Sequence, residues 1–448
     1  MNILIIGCGY VGLVTGVSLA KQGNDVTCIE KNEAIINSIN RGIPHIHEKD
    51  MTLFLEEVID SKLFRVSNVF PDSNKKIDLI IIAVGTPSLS DGSIDLSYVK
   101  EAARDSALFI RDSTTKISIV VKSTVIPGTT DTLVKSEIEK YSGKIFPEFG
   151  LGMNPEFLRE GSAINDFNYP DRIVLGFEDS YTRDLLEKLY KPWNVDKLCV
   201  STRTAEMIKY ANNALLACQI SIVNELANLT YRIGGVDIMD VIQGISLDKR
   251  WNPILENGKR INPDILKYLI PGSGFGGSCF PKDVKAISNL GLSKGYPMAI
   301  LDAVLSINSK QPGEVINVLK TKISNLEAVN ILVLGISFKE FSDDIRDSTA
   351  IKIIEHLLDN KANITAHDPA CVENLKKKMP HIYSKISITE DWKSCIKQNE
   401  VIVVTTKWTD YLDLLQEDLK DKIFLDVRRM FEAKNFKNAI YLTIGLGN

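Results

Sequence analysis

The sequence predicts an α/β fold: two doubly wound units joined by a long central helix and a further helical region. Three observations carry that expectation. Short β-rich runs at 2–6, 25–29, 78–84, 118–121 and 172–175 are separated by helix-length segments, the alternation expected of a parallel sheet covered on both faces. From 204 to 233 the pattern changes to one helical stretch, which at 1.5 Å per residue would span about 45 Å. A strand–helix–strand pattern then restarts at 329–334, passes through a helix at 349–358, and returns at 363–366, 401–405 and 423–426.

At roughly 150 residues per domain, 448 residues suggest about three units. The expected domains are 1–200, 201–312 and 313–448, with boundaries near Ser201 and at Gln311, Pro312 and Gly313. Apolar residues of the 204–233 helix fall on more than one face, so a single neighbour cannot bury them all. A homodimer through this helix is expected. The two α/β ends are read as alike in architecture only.

Hydrophobic residues make up 44% of the chain and charged residues 25%, ample for buried cores, and a net charge of −4 excludes a chain-wide basic face for nucleic acid. Cysteines at 8, 28, 199, 218, 279, 371 and 395 are odd in number and never in C-x-x-C spacing. That pattern argues against a disulfide framework or zinc site and for a reducing compartment. The apolar N-terminus lacks a basic leader and contains Gly7, Gly9, Gly12 and Gly16, so it reads as strand, loop and helix rather than a signal peptide. No run approaches the roughly 18 apolar residues of a membrane span. The expectation is a soluble, cytoplasmic protein with small-molecule ligands and no membrane or nucleic-acid partner.

Gly7-Cys8-Gly9-Tyr10-Val11-Gly12 follows the first strand directly and opens a helix, and the second strand ends at Glu30. Glycines there permit a tight turn and close approach of a pyrophosphate to the helix N-terminus, and an acid at that distance accepts the ribose hydroxyls. This is a Rossmann-like dinucleotide site. Glu30 would repel a 2′-phosphate, which favours NAD over NADP, although Lys31 beside it works the other way.

Further motifs follow in order: VGTPSLSDGSIDLSYV (84–99), KSTVIPGTT (122–130), NPEFLREGSA (154–163), AEMIKYANNALLA (205–217), GFGGSCFPKD (274–283), GISFKEFSDDIRDS (335–348) and TKWTDY (406–411). With GCGYVG (7–12), the set resembles the UDP-glucose/GDP-mannose dehydrogenase family over nearly the whole chain. The resemblance implies oxidation of a nucleotide-linked hexose at C6 to the uronate, most simply UDP-glucose to UDP-glucuronate, using two NAD and a thioester on cysteine. Other UDP-hexoses and GDP-mannose remain open as substrates. So do a two-electron hydroxyacid dehydrogenase, which would have no use for Cys279, and a catalytically silent nucleotide-sugar sensor.

The resemblance makes Cys279 the nucleophile. Pro281 places it near a helix N-terminus, whose partial positive charge favours thiolate, and Asp283 stands one turn on. The other six cysteines read as buried and inert. Lys209 and Asn213, four apart on the long helix, share a face and could stabilise an oxyanion. Without the resemblance they would read as an exposed helix lysine and a solvated or interhelical asparagine. The family pattern further implies proton transfer by Glu156 with Thr124. It implies cofactor contacts from Thr86, Ser123, Thr124, Glu160, Lys282 and Arg346, beside Gly7, Gly9, Tyr10, Val11, Gly12 and Glu30. Substrate contacts are implied for Glu156, Phe157, Leu158, Arg159, Glu160, Lys209, Asn213, Arg260, Phe275, Gly276, Phe338, Lys339 and Arg428. The C-terminal unit lacks a glycine fingerprint and is expected to bind the UDP sugar through cationic donors.

Two departures stand out. Arg260 lies nineteen residues before Cys279, where family members usually have sixteen, and Ile35 replaces a basic residue common after the ribose acid. His45 and His47 have metal-pair spacing but no third ligand nearby, so they read as a polar loop with no metal. Lys376, Lys377 and Lys378 read as a solvated helix end.

Overall fold

Apolar runs without a polar face, such as that from Asn2 to Ile6, must lie in a sheet covered on both sides. The computed structural model, which describes residues 1–72 and 75–447, places them in two such sheets. The chain divides into two compact units, Met1–Asn212 and Asn213–Asn448.

The first sheet contains β1 (Asn2–Ile6), β2 (Asp25–Ile29), β3 (Phe64–Ser67), β4 (Leu79–Ile82), β5 (Ser118–Val121), β6 (Gly150–Met153), β7 (Ile173–Phe177) and β8 (Lys197–Val200). Their order is β3-β2-β1-β4-β5-β6-β7-β8. The first six are parallel, but β7 runs antiparallel to β6, with β8 parallel to β7, so the expected all-parallel sheet is corrected at that edge. Along β1, Ile3 and Ile5 enter one apolar cluster and Leu4 and Ile6 the other, the two-residue period of a strand buried on both faces.

The second sheet is wholly parallel: β9 (Asn330–Leu334), β10 (Asn363–His367), β11 (Ser387–Ile388), β12 (Val401–Val404), β13 (Ile423–Asp426) and β14 (Ile440–Thr443), in the order β11-β10-β9-β12-β13-β14. Both sheets therefore contain the doubly wound 3-2-1-4-5-6 order, which leaves a crevice for ligands beyond the strands' carboxyl ends.

The long helix spans Thr202–Ile233. A second one, Ala299–Lys320, contains Pro312, so the boundary expected at 311–313 falls inside a continuous helix. Proline removes one backbone donor and crowds the preceding turn, yet the helix continues because Gln311, Pro312 and Val315 are buried and hold it in place. No described helix is long and apolar enough to cross a membrane.

Candidate active site

The loop between β1 and the helix Tyr10–Lys21 is shaped by contacts that only glycine satisfies. Gly7 has φ +95°, and a Cβ there would lie 2.7 Å from the Ala83 carbonyl oxygen; a Cβ on Gly12 would lie 1.9 Å from the Gly7 oxygen. Gly9, by contrast, borders open space. It caps a helix whose first-turn N–H groups, including those of Tyr10 and Val11, have no intrahelical acceptors. Glu30 accepts the N–H groups of Cys8 at 3.0 Å, Lys31 at 2.9 Å and Asn32 at 3.0 Å. Gly7, Gly9, Glu30, Gly85 and Tyr98 line a cavity of about 330 Å³ that also meets Glu101 and Asp105. Lys31 is drawn to Glu101 at 2.7 Å, so the cation that would welcome a 2′-phosphate is already paired. This cradle fits NAD. At the same carboxyl edge, Ser123 donates to the Val84 carbonyl at 2.7 Å, while Thr86 and Thr124 are half-buried in the loops after β4 and β5.

Glu156 follows β6 in the loop that carries NPEFLREG. It is buried and accepts from the Lys209 ammonium at 2.8 Å and the Leu158 N–H at 2.6 Å. Burial works against its charge, but Lys209, the Leu158 N–H and Lys122 outweigh it and hold the carboxyl below its ordinary range. Lys209 is only 4% exposed, contrary to the solvated lysine its helix position suggests. Phe157 and Leu158 are half-buried, Arg159 is exposed and clamped on Asp166 at 2.6 Å, and Glu160 is half-buried at the loop's far end.

A lysine not assigned from sequence joins this group. Lys122, at the end of β5, is buried and donates to Asn154 Oδ1 at 2.8 Å, an oxygen that also accepts the Tyr190 hydroxyl at 2.5 Å. Burial pushes its pKa down to about 8, with Glu156 opposing and Lys209 adding to the shift. Lys122 and Glu156 share a cavity of about 190 Å³. The available signal was a cation closing the apolar run Ser118–Val121.

The thiol site lies in the second unit. Cys279 caps the helix Phe280–Ser293, with Pro281 in its first turn, and its carbonyl accepts the Asp283 N–H at 2.8 Å. Asp283 is buried, with one oxygen taking Asn213 Nδ2 at 2.7 Å and the other Lys282 Nζ at 2.6 Å. The glycine-rich approach to the thiol is packed to contact: a Cβ on Gly276 would lie 2.3 Å from the Asp347 oxygen, and one on Gly277, at φ +82°, would lie 2.6 Å from the Phe338 ring. Asn308, also missed from sequence, holds this loop by bonding Phe275 through both its N–H, at 2.7 Å, and its carbonyl, at 3.0 Å.

Expected C-terminal residues border the same loop. Gly277 donates to the Arg346 carbonyl at 2.9 Å, and a Cβ on Gly272 would meet Arg428 Nη1 at 3.6 Å. The Arg346 guanidinium forks onto Asp344, and Lys339 Nζ lies 5.6 Å from the Phe338 ring. Arg260 turns back onto its own segment, donating to the Asn252 carbonyl at 2.9 Å. The view of the other cysteines as uniformly buried needs correction: Cys199 is exposed on the edge strand β8 and Cys218 is half-buried. Among the described residues, no group of three or more His, Cys, Asp or Glu is placed to hold a metal ion.

A doubly wound dinucleotide cradle, a buried carboxylate–lysine pair and a helix-capping thiol define an NAD-dependent dehydrogenase. Residues 1–194 match the NAD binding domain of the UDP-glucose/GDP-mannose dehydrogenase family, 203–310 its central domain and 332–433 its UDP binding domain. The chain belongs to that family. It is 35% identical over 454 residues to a UDP-glucose 6-dehydrogenase of Rickettsia conorii, covering 100% of both chains. It is 34% identical to one from Haloferax volcanii, covering 96% of this chain and 97% of that one. A UDP-glucose dehydrogenase structure from Pyrobaculum islandicum superposes with a TM-score of 0.88 at 35% identity, covering 98% of this chain and 96% of the other.

Proposed function

We propose that this chain oxidises UDP-glucose at C6 to UDP-glucuronate through a covalent adduct on Cys279. The observation that carries the reading is a thiol at a helix N-terminus whose first turn buries Asp283 against Asn213, a nucleophile that a simple alcohol dehydrogenase does not need. NAD supplies the hydride acceptor for both oxidations. At the alcohol, Asp283 takes up the hydroxyl proton through a water that the Lys209 ammonium orients. At the aldehyde, Cys279 forms a C–S bond while Lys209 and Asn213 donate to the oxygen that gains charge. At the thioester, Glu156 with Thr124 draws a proton from water, the C–S bond breaks and the thiolate is regenerated. One water is consumed and two NADH are formed for each sugar.

Phe338, Lys339 and Arg428 are assigned to the nucleotide sugar, and Arg346 and Lys282 to the cofactor. The unit boundaries assigned to these roles are 1–200, 201–312 and 313–448. A second copy of the chain is assigned to the long helix, where Leu215, Ile222, Leu226, Leu229 and Ile233 are exposed at spacings of three, four and seven, one continuous apolar stripe. A reducing cytoplasm suits its seven free cysteines.

An NADH-release screen over UDP-glucose, UDP-galactose, UDP-N-acetylhexosamines and GDP-mannose tests the substrate. UDP-glucose should give the highest kcat/KM; a clear preference for another arm would reassign the sugar, and silence on all would favour a binding protein. Cys279→Ser should stall turnover, so wild-type rates in that variant would remove the thiol from the mechanism.

A further inference from the structure

The loop that carries His45 and His47 has a use that neither histidine supplies. Its Glu48 reaches two segments distant in sequence, and one carboxylate oxygen serves both. Glu48 Oε2 accepts the Tyr10 hydroxyl, and it accepts the Gly161 N–H at 2.9 Å. The same Gly161 N–H also approaches the Tyr10 hydroxyl oxygen at 3.1 Å, closing a three-way junction. Tyr10 is the first residue of the helix behind the glycine turn, and Gly161 directly follows Glu160 at the end of the NPEFLREG loop.

The junction is built with some cost. The Glu48 carboxylate is half-buried, and burial works against its charge while the Tyr10 hydroxyl and the N–H groups of Gly161, Ala163 and Ile164 favour it; Asp50, which leads into the helix Met51–Asp60, adopts φ 62°. A side chain there only to fill space would be cheaper without a carboxylate, because withdrawing its charge from water is unfavourable. A carboxylate oxygen has two acceptor sites, enough to receive the tyrosine hydroxyl and the backbone N–H together.

We infer that Glu48 is a positioning residue for the cofactor: it fixes Tyr10, and with it the first-turn N–H groups offered to the pyrophosphate, in register with the loop that carries Glu156 and Glu160. This inference rests on the assignment of the glycine turn as the NAD seat. Without the carboxylate, Tyr10 and Gly161 are no longer tied, and cofactor binding must order the turn itself. The loss should appear in NAD affinity and in the KM for NAD, rather than in kcat at saturating cofactor.

Calorimetric NAD titration and steady-state kinetics of the full chain test this with three variants. Glu48→Ala should raise the Kd and KM for NAD about tenfold, a change of about 1.4 kcal/mol. Glu48→Gln, whose amide oxygen can accept both hydrogen bonds, should recover to within about threefold of wild type, a rescue that simple loss of packing would not predict. Tyr10→Phe deletes a single hydroxyl, keeps the test open should the alanine variant fail to fold, and should raise the Kd about threefold. An alanine variant with wild-type NAD affinity, or a glutamine variant as impaired as alanine, would overturn the inference. Wild-type protein that bound no NAD at all would instead remove the cofactor seat on which the inference stands.

Discussion

At the end of β1, the Gly7 N–H donates to the Ile29 carbonyl at 2.8 Å and the Cys8 N–H to Glu30 at 3.0 Å; at the end of β9, Gly335 donates to the His367 carbonyl at 2.8 Å and Ile336 to Asp368 at 2.8 Å. Gly7 has φ +95° and Gly335 φ +105°, and a Cβ on either would collide with the neighbouring strand's exit, at Ala83 and Thr406. The two units thus share a local device as well as an architecture, which corrects the expectation that they are alike in architecture only. They differ in what the acid has left to give. Asp368 is buried and saturated, taking the N–H groups of Ile336, Ser337, Ala370 and Cys371, the Ser337 hydroxyl and the Trp408 indole. Glu30 takes three backbone N–H groups and still lines an open cavity. One acid locks its loop, while the other remains available to a ligand.

Replacing the two acids should separate these roles. Asp368→Ala leaves several buried donors unmet and should cost at least about 3 kcal/mol in denaturant unfolding, with NAD affinity of the folded fraction unchanged. A small loss would show that the saturation contributes little. Lys122 extends the contrast, because the first unit also keeps a buried ammonium whose one acceptor among the described residues is Asn154. With its pKa pushed down to about 8, the burial cost is fully present below pH 8 and is relieved as pH rises from 8 towards the ordinary value, since the folded chain then releases the proton first. Lys122→Met should therefore raise stability at pH 7 by about 2 kcal/mol, with the advantage shrinking above pH 8, and should lower turnover. Unfolding curves at pH 7 and pH 10 check the sign.

Glu30→Gln should raise the KM for NAD about tenfold, roughly 1.4 kcal/mol, while costing less unfolding stability than Asp368→Ala, because it disturbs fewer and more exposed hydrogen bonds. A stability loss as large as that of Asp368→Ala would make Glu30 a lock like Asp368. The smallest effect concerns Lys31: Glu101→Gln frees it and should improve kcat/KM with NADP only a few-fold, because exposed ion pairs are worth less than about 1 kcal/mol.

The glycine turn and Glu30 were legible because local sequence alone fixes them: an apolar strand, a required positive φ and a helix start fall within a few residues. β6 was not legible, since GLGM has little strand propensity; its glycines are demanded from outside, a Cβ on Gly150 meeting Ser118 Oγ at 2.1 Å and Thr182 Oγ1 at 2.3 Å. β7 was legible as a strand but its reversal was not, because its direction is fixed by the pairing with β6. Lys209 looks solvated along the helix because its partner, Glu156, is 53 residues away. Cys279 stood out through the family motif around it, with Pro281 marking a helix start, but the buried Asp283–Asn213 contact that frames it spans 70 residues and needed coordinates. Pro312 stands inside a helix although proline normally ends one, because tertiary burial carries the helix through.

The proposed role of Cys279 is to retain the sugar between two oxidations. Counting NADH released against a limiting amount of UDP-glucose tests it most directly: two NADH per sugar with no free aldehyde is the predicted result, and one NADH per sugar would contradict it.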